Sequence, residues 1–180
     1  MAGLEFKKYG GADPKGEQLQ EIIANSTTLT IGDIVRFVSG FVALAAAGNR
    51  MLGEVVGFCT NKGISLDSAL SSEFDGTYAP GGKGTGTYVS SGDNQTDKKV
   101  RAVIRPFIQG MIYTAPLDAT IATTTGSDLR GYYADLIAAS DQIDESTTGT
   151  AVAQFELLGQ DPEALGNNVL CSPVELVNAA

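Results

Sequence analysis

The chain has 180 residues, 43% of them apolar, enough for an ordinary globular core without disulfide or metal staples. It has no histidine and no tryptophan, so it lacks the commonest general base and zinc ligand, and the aromatic anchor most used against sugars and partner hot spots. The formal net charge of −9 is lopsided: residues 1–105 carry 11 basic and 11 acidic side chains, residues 106–180 one basic (Arg130) and ten acidic. An acidic surface repels phosphate backbones, which argues against a nucleic-acid partner.

Residues 1–28 read as an N-terminal arm. Leu4, Phe6 and Tyr9 dot an extended, Gly-rich leader too sparse to build its own core. Asp13-Pro14 supplies an N-cap followed by proline at the first helical position, and Leu19, Ile22 and Ile23 fall at i, i+3 and i+4. That spacing predicts a short helix running to about Asn25. The opening carries charge at Glu5, Lys7 and Lys8 and has no apolar h-region, so it does not read as a secretory signal, and synthesis in a cytoplasm is expected.

From Leu29 the punctuation becomes that of a β-rich domain, expected to run over 29–180. Strand formers are broken by Gly32-Asp33, Ser39-Gly40 and Gly48-Asn49, all turn-makers. Met51 to Cys59 predicts a strand covered on both faces, with Gly53 and Gly57 marking bulges or sharp bends. Residues 60–98 read as a flexible excursion between sheet elements, with a helical turn or two over Ser65–Phe74 and a Gly-rich loop over 80–95. Val100 to Tyr113 returns to strand, with Pro106 at an edge or bend. Further strands follow around Tyr132-Tyr133 and Val152–Leu158, then a turn at Gln160-Asp161-Pro162-Glu163 and a closing strand over Val169–Val177. Short strands at this spacing predict an all-β sandwich or barrel with one or two short helices. A faint internal echo sets Gly32-Asp33-Ile34-Val35 and Gly48-Asn49-Arg50-Met51-Leu52-Gly53-Glu54 against Pro116-Leu117-Asp118 and Gly126-Ser127-Asp128-Leu129-Arg130-Gly131-Tyr132, which suits a barrel of repeated hairpins.

No motif carries chemistry. In the loop Gly81-Gly82-Lys83-Gly84 a glycine stands where a phosphate loop needs Ser or Thr after the lysine. The late acids Asp135, Asp141, Asp144, Glu145, Asp161 and Glu163 fall mostly in polar turns, and 141–145 lacks the alternating acids and central glycine of a calcium loop. There is no Gly-x-Ser-x-Gly elbow. Cys59 and Cys171 lie in apolar runs and read as buried free thiols. The uncharged stretches Phe37–Asn49 and Pro106–Leu117 are shorter than the roughly 20 residues of a membrane span. The cluster Lys98, Lys99, Arg101, Arg105 is either a solvated strand start or a docking patch for an acidic protein surface. No cofactor, metal site, catalytic residue or membrane is expected.

One longer pattern resembles a known family. Gly32-Asp33-Ile34-Val35, followed by Leu52-Gly53-Glu54-Val55-Val56-Gly57, is similar to the opening of the capsid decoration (cement) proteins of tailed bacteriophages, and segments near 100–107, 128–136 and 152–171 resemble their later strands. The resemblance covers residues 29–177. It implies a small β-barrel or β-tulip-like domain, a homotrimer on the outside of the virion, and a partner in the major capsid protein, whose neighbouring subunits it clamps. Under that reading the arm residues Leu4, Phe6, Tyr9, Leu19, Ile22 and Ile23, together with Lys98 and Lys99, are the expected capsid or subunit contacts; Leu19, Ile22 and Ile23 have the alternative of covering an open end of their own barrel. Rival readings are another virion subunit, such as a tail tube or head fibre, or a carbohydrate- or host-binding β-sandwich.

Overall fold

A computed structural model describes residues 5–6, 18–97, 100–108, 110–120, 129–137, 142–144 and 154–174. The fold is all-β, and the chain forms two compact units. The first comprises Met1–Lys15, Ala45–Met51 and Phe107–Ala180; the second comprises Gly16–Leu44 and Leu52–Pro106.

The first unit opens with β1 (Glu5–Phe6). The second holds β2 (Leu19–Ile22), β3 (Thr28–Thr30), β4 (Ile34–Val38), β5 (Phe41–Leu44), β6 (Gly53–Thr60), β7 (Thr77–Ala79), β8 (Thr87–Val89), the one-turn helix α1 (Asn94–Asp97) and β9 (Val100–Pro106). Its main sheet has the order β2-β9-β6-β4-β5, all antiparallel. The sheet curls until Ile23, just past β2, bridges Val42 of β5 in parallel, with the Ala24 N–H donating to the Val42 carbonyl at 2.8 Å. β9 alternates as a half-buried strand should, with Val100, Ala102 and Ile104 inward. β6 is buried at Gly53–Val55 and again at Phe58–Thr60, around a bulge between Val55 and Gly57. Gly53 is required by close approach: a Cβ there would collide with the Arg105 carbonyl oxygen. A second sheet, β3-β8-β7, takes up part of the 60–98 stretch.

Two helix expectations are corrected. Leu19–Ile22 is a strand paired with Ile104–Arg101 of β9, so the helical spacing of Leu19, Ile22 and Ile23 gives way to alternation, with Leu19 and Ile23 on the inner side and Ile22 beside Arg101. Backbone pairing to a buried strand outweighs a weak local preference worth a few tenths of a kcal/mol per residue. Ser65–Phe74 forms turns, not a helix. The Leu66 N–H is taken by the Phe58 carbonyl at 3.0 Å, which fastens the segment to β6.

The first unit continues with β10 (Tyr113–Pro116), β11 (Tyr133–Leu136), β12 (Ile143–Asp144), β13 (Phe155–Gln160) and β14 (Asn168–Pro173). Its sheet order is β1-β10-β14-β13-β11-β12. This sheet also curls closed, Leu117 bridging Ile143 of β12 in parallel. Its core gathers Ala115, Ala134, Leu136, Ile143, Phe155, Leu157, Val169 and Cys171, with Phe107 packed edge-on against Tyr113 and Phe155.

Candidate functional site

The most concentrated charge lies on the second unit, around Glu54. Its position in β6, in register with Ile34 on one side and Arg105 on the other, leaves the carboxylate only 3% exposed. Burying a carboxylate is costly unless it is paired, and here each oxygen has its own cation. Lys83 Nζ stands 2.7 Å from Oε1, and Arg105 Nη2 bonds Oε2. The lysine arrives from the Gly-rich loop, which docks on the turn after β3: the Gly84 N–H donates to the Ile31 carbonyl at 2.7 Å and the Ile31 N–H to the Gly86 carbonyl at 2.8 Å. Gly32, at a φ of 106°, leaves room for the lysine stem, since a Cβ there would meet Lys83 Cγ at 3.0 Å. The loop read from sequence as a flexible excursion is thus latched to β6. With both oxygens engaged, Glu54 fastens loop to sheet and does not present a base to solvent.

Other buried polar side chains also serve backbone. Asn94, fully buried in α1, donates to the Ile23 and Val100 carbonyls and accepts from the Val100 N–H. Ser90 donates to the Ala24 carbonyl at 2.6 Å and accepts from the Thr27 N–H at 2.8 Å, while Asn25 accepts from the Gln95 N–H. Tyr78 and Tyr88, opposite each other in β7 and β8, reach back to Asp67 Oδ1 and the Asp75 carbonyl, each at 2.6 Å. Burial and then the bond to Asp67 push the Tyr78 phenol up to about 12. Burial also raises Tyr88, followed by the nearby Asp75 charge.

In the first unit, Gln154 accepts from the Leu136 N–H and donates to the Ala46 and Asn49 carbonyls, and its own N–H goes to Asp135. Asp161, 1% exposed, accepts from Thr114 Oγ1 at 2.7 Å and from the Glu163 N–H at 3.1 Å, closing the turn before β14. Cys59 and Cys171 are free and buried; desolvation raises both thiols, Arg101 partly offsetting the shift at Cys59. Among the described residues, no group of three or more acids or cysteines gathers to hold a metal.

The residues expected to touch a partner are dispersed. Phe6 lies in β1 in register with Tyr113. Leu19 and Ile22 are half-buried in β2, and Ile23 is a fully buried core residue of its own unit. Leu4, Tyr9, Lys98 and Lys99 lie outside the described residues. Of their basic cluster, Arg105 is spent on Glu54, and Arg101 donates to the Gln20 carbonyl at 3.3 Å. Sequence reasoning missed the Glu54–Lys83–Arg105 latch, because its members are dozens of residues apart and only strand register unites them.

Compared with protein-family models, curated proteins and solved structures, the chain matches no family model and shows no significant similarity to any member of the other two sets.

Proposed function

We propose that this protein is a non-enzymatic structural component that binds the outside of a tailed-phage head as a homotrimer and clamps neighbouring major capsid subunits. The observation that carries the reading is where the buried polar chemistry goes. Asn94, Gln154, Ser90, Asp135 and Asp161 hold backbone or one another, and Glu54 locks a loop to a sheet. Such an investment makes rigid β-units, which suits a clamp that must resist outward pressure. The strand and turn layout that resembles capsid decoration proteins supports the same reading. Shell binding of this kind draws on apolar area, about 25 cal/mol per Å² removed from water, multiplied by avidity over many copies.

The test is the copy number of this chain relative to the shell protein in purified particles. About one chain per shell subunit, released when the head is disrupted, is expected. A few copies per particle overturns the reading and favours a tail, fibre or glycan-binding role.

A further inference from the structure

Five strands of each unit repeat one design. In chain order, β2, β4, β5, β6 and β9 of one unit correspond to β10, β11, β12, β13 and β14 of the other. The sheet orders, β2-β9-β6-β4-β5 and β10-β14-β13-β11-β12, are then identical. So is the register. Leu19↔Ile104 and Ile22↔Arg101 match Tyr113↔Cys171 and Pro116↔Asn168; Glu54↔Arg105 matches Glu156↔Ser172; Phe37↔Val42 matches Leu136↔Ile143. Both sheets close by the same parallel bridge, Ile23 to Val42 and Leu117 to Ile143. Both carry a bulge at the same step, Val55/Gly57 and Leu157/Gly159, within the similar runs Glu54-Val55-Val56-Gly57 and Glu156-Leu157-Leu158-Gly159. Both use a left-handed glycine, Gly32 or Gly131, whose N–H bonds the Val55 or Leu157 carbonyl at 2.8 Å. The faint sequence echo was out of phase: Gly131 corresponds to Gly32, not to Gly53.

One difference stands out. In the first unit, β1 covers the outer edge of β10, Glu5 opposite Thr114 and Phe6 opposite Tyr113. The equivalent edge of β2 is Gln20 and Leu19, and among the described residues no strand pairs with it. Backbone groups alternate in direction along a strand. The Ala24 N–H turns away from β9 to reach Val42, so two and four residues back the N–H groups of Ile22 and Gln20 turn outward as well. Gln20 is exposed, and among the described residues its outward carbonyl is met by Arg101 Nη1 at 3.3 Å. Arg101 Nε is buried with no hydrogen-bond partner. Arg101 stands where the first unit has Asn168, so the two edges differ at this position by a cation.

We propose that the β2 edge at Leu19 and Gln20, ahead of the point where β2 meets β5, docks an extended strand of a partner polypeptide by antiparallel β-addition. The incoming strand carries an acidic residue opposite Gln20 and an apolar residue opposite Leu19, the pattern β1 places on β10. Main-chain bonds to Gln20 supply the affinity, and a carboxylate on Arg101 supplies the choice of strand. This surface stands whether or not the chain sits on a capsid.

The test uses the full chain, isotope-labelled, and a synthetic peptide of residues 3–9, Gly-Leu-Glu-Phe-Lys-Lys-Tyr. The chain's own β1 holds the β10 edge intramolecularly at an effective concentration on the order of millimolar, so added peptide reports on β2. Saturable amide shifts at Leu19–Ile22 and slowed hydrogen exchange at Gln20 are expected. Gln20→Pro removes the outward N–H and should abolish them. Arg101→Gln keeps the backbone edge and should weaken the peptide about fivefold or more. Absence of shifts in β2 at millimolar peptide overturns the proposal, as does unchanged affinity in a folded Gln20→Pro chain or in Arg101→Gln.

Discussion

Gln154 shows how much one side chain can hold. Its amide serves three backbone groups, accepting from the buried Leu136 N–H and donating to the Ala46 and Asn49 carbonyls, of which the Ala46 carbonyl also accepts from the Asn49 N–H at 3.0 Å. Gln154→Leu keeps the volume but takes this partner from the Leu136 N–H and the Asn49 carbonyl, each costing on the order of 1 kcal/mol or more. The expected loss is about 2 kcal/mol of unfolding free energy, read from urea melts. Glu54 poses a different case, because its two cations are partly exposed and hydrate readily once released. Glu54→Gln should therefore change stability modestly while freeing the Gly-rich loop. Trypsin cleavage after Lys83 is expected to accelerate several-fold; an unchanged rate means that the backbone bonds of Ile31 hold the loop without the latch.

At the scale of elements, β6 offers a paired test of why its two glycines are there. A methyl at Gly53 would strike the β9 backbone at Arg105 and Pro106, and neither atom yields without parting the strands. Gly53→Ala is expected to cost about 3 kcal/mol. At Gly57 nothing lies within 4 Å of the added carbon and φ is not in the left-handed region, so Gly57→Ala should stay within about 0.5 kcal/mol of the parent. Thermal melts of the two variants check both. The strand nature of β2 also redefines the arm. Removing residues 2–25 deletes β2 and the buried Ile23, and should unfold the second unit. Removing 2–12 takes away β1 and spares β2; if the leader carries the head contacts, this shorter deletion loses binding with the circular-dichroism spectrum of the sheets retained.

Over the whole molecule the buried acids set an alkaline limit. Cys59 and Cys171 are raised from the ordinary 9.0, and Tyr78 from 10.0 to about 12. Above pH 9 the unfolded chain loses these protons while the folded chain keeps them, so the folded state binds more protons and stability falls as pH rises. The contribution is intact below pH 9 and declines from there, the Tyr78 part between 10 and 12. Urea midpoints at pH 8, 9.5 and 10.5 should decrease in that order, and Tyr78→Phe should flatten the last step. A midpoint that rises over this range contradicts the assignment.

The β-class, the turns at Gly32-Asp33 and Gly48-Asn49 and the buried thiols were legible because each rests on local chemistry: backbone freedom at glycine, β-branched alternation, and apolar flanks. Other features depended on partners far along the chain. The same Leu-Gln-Glu-Ile-Ile run fits one helical face or one strand, and only β9 beside it decides for the strand. Glu54 finds Lys83 and Arg105 through register, and the repeat of one five-stranded design lies in strand order and hydrogen bonding, while most of its side chains have diverged. Spacing along the sequence encodes which residues can turn or pair. Which strand they pair with is set by burying the apolar face of each unit's own sheet, a condition no local segment contains.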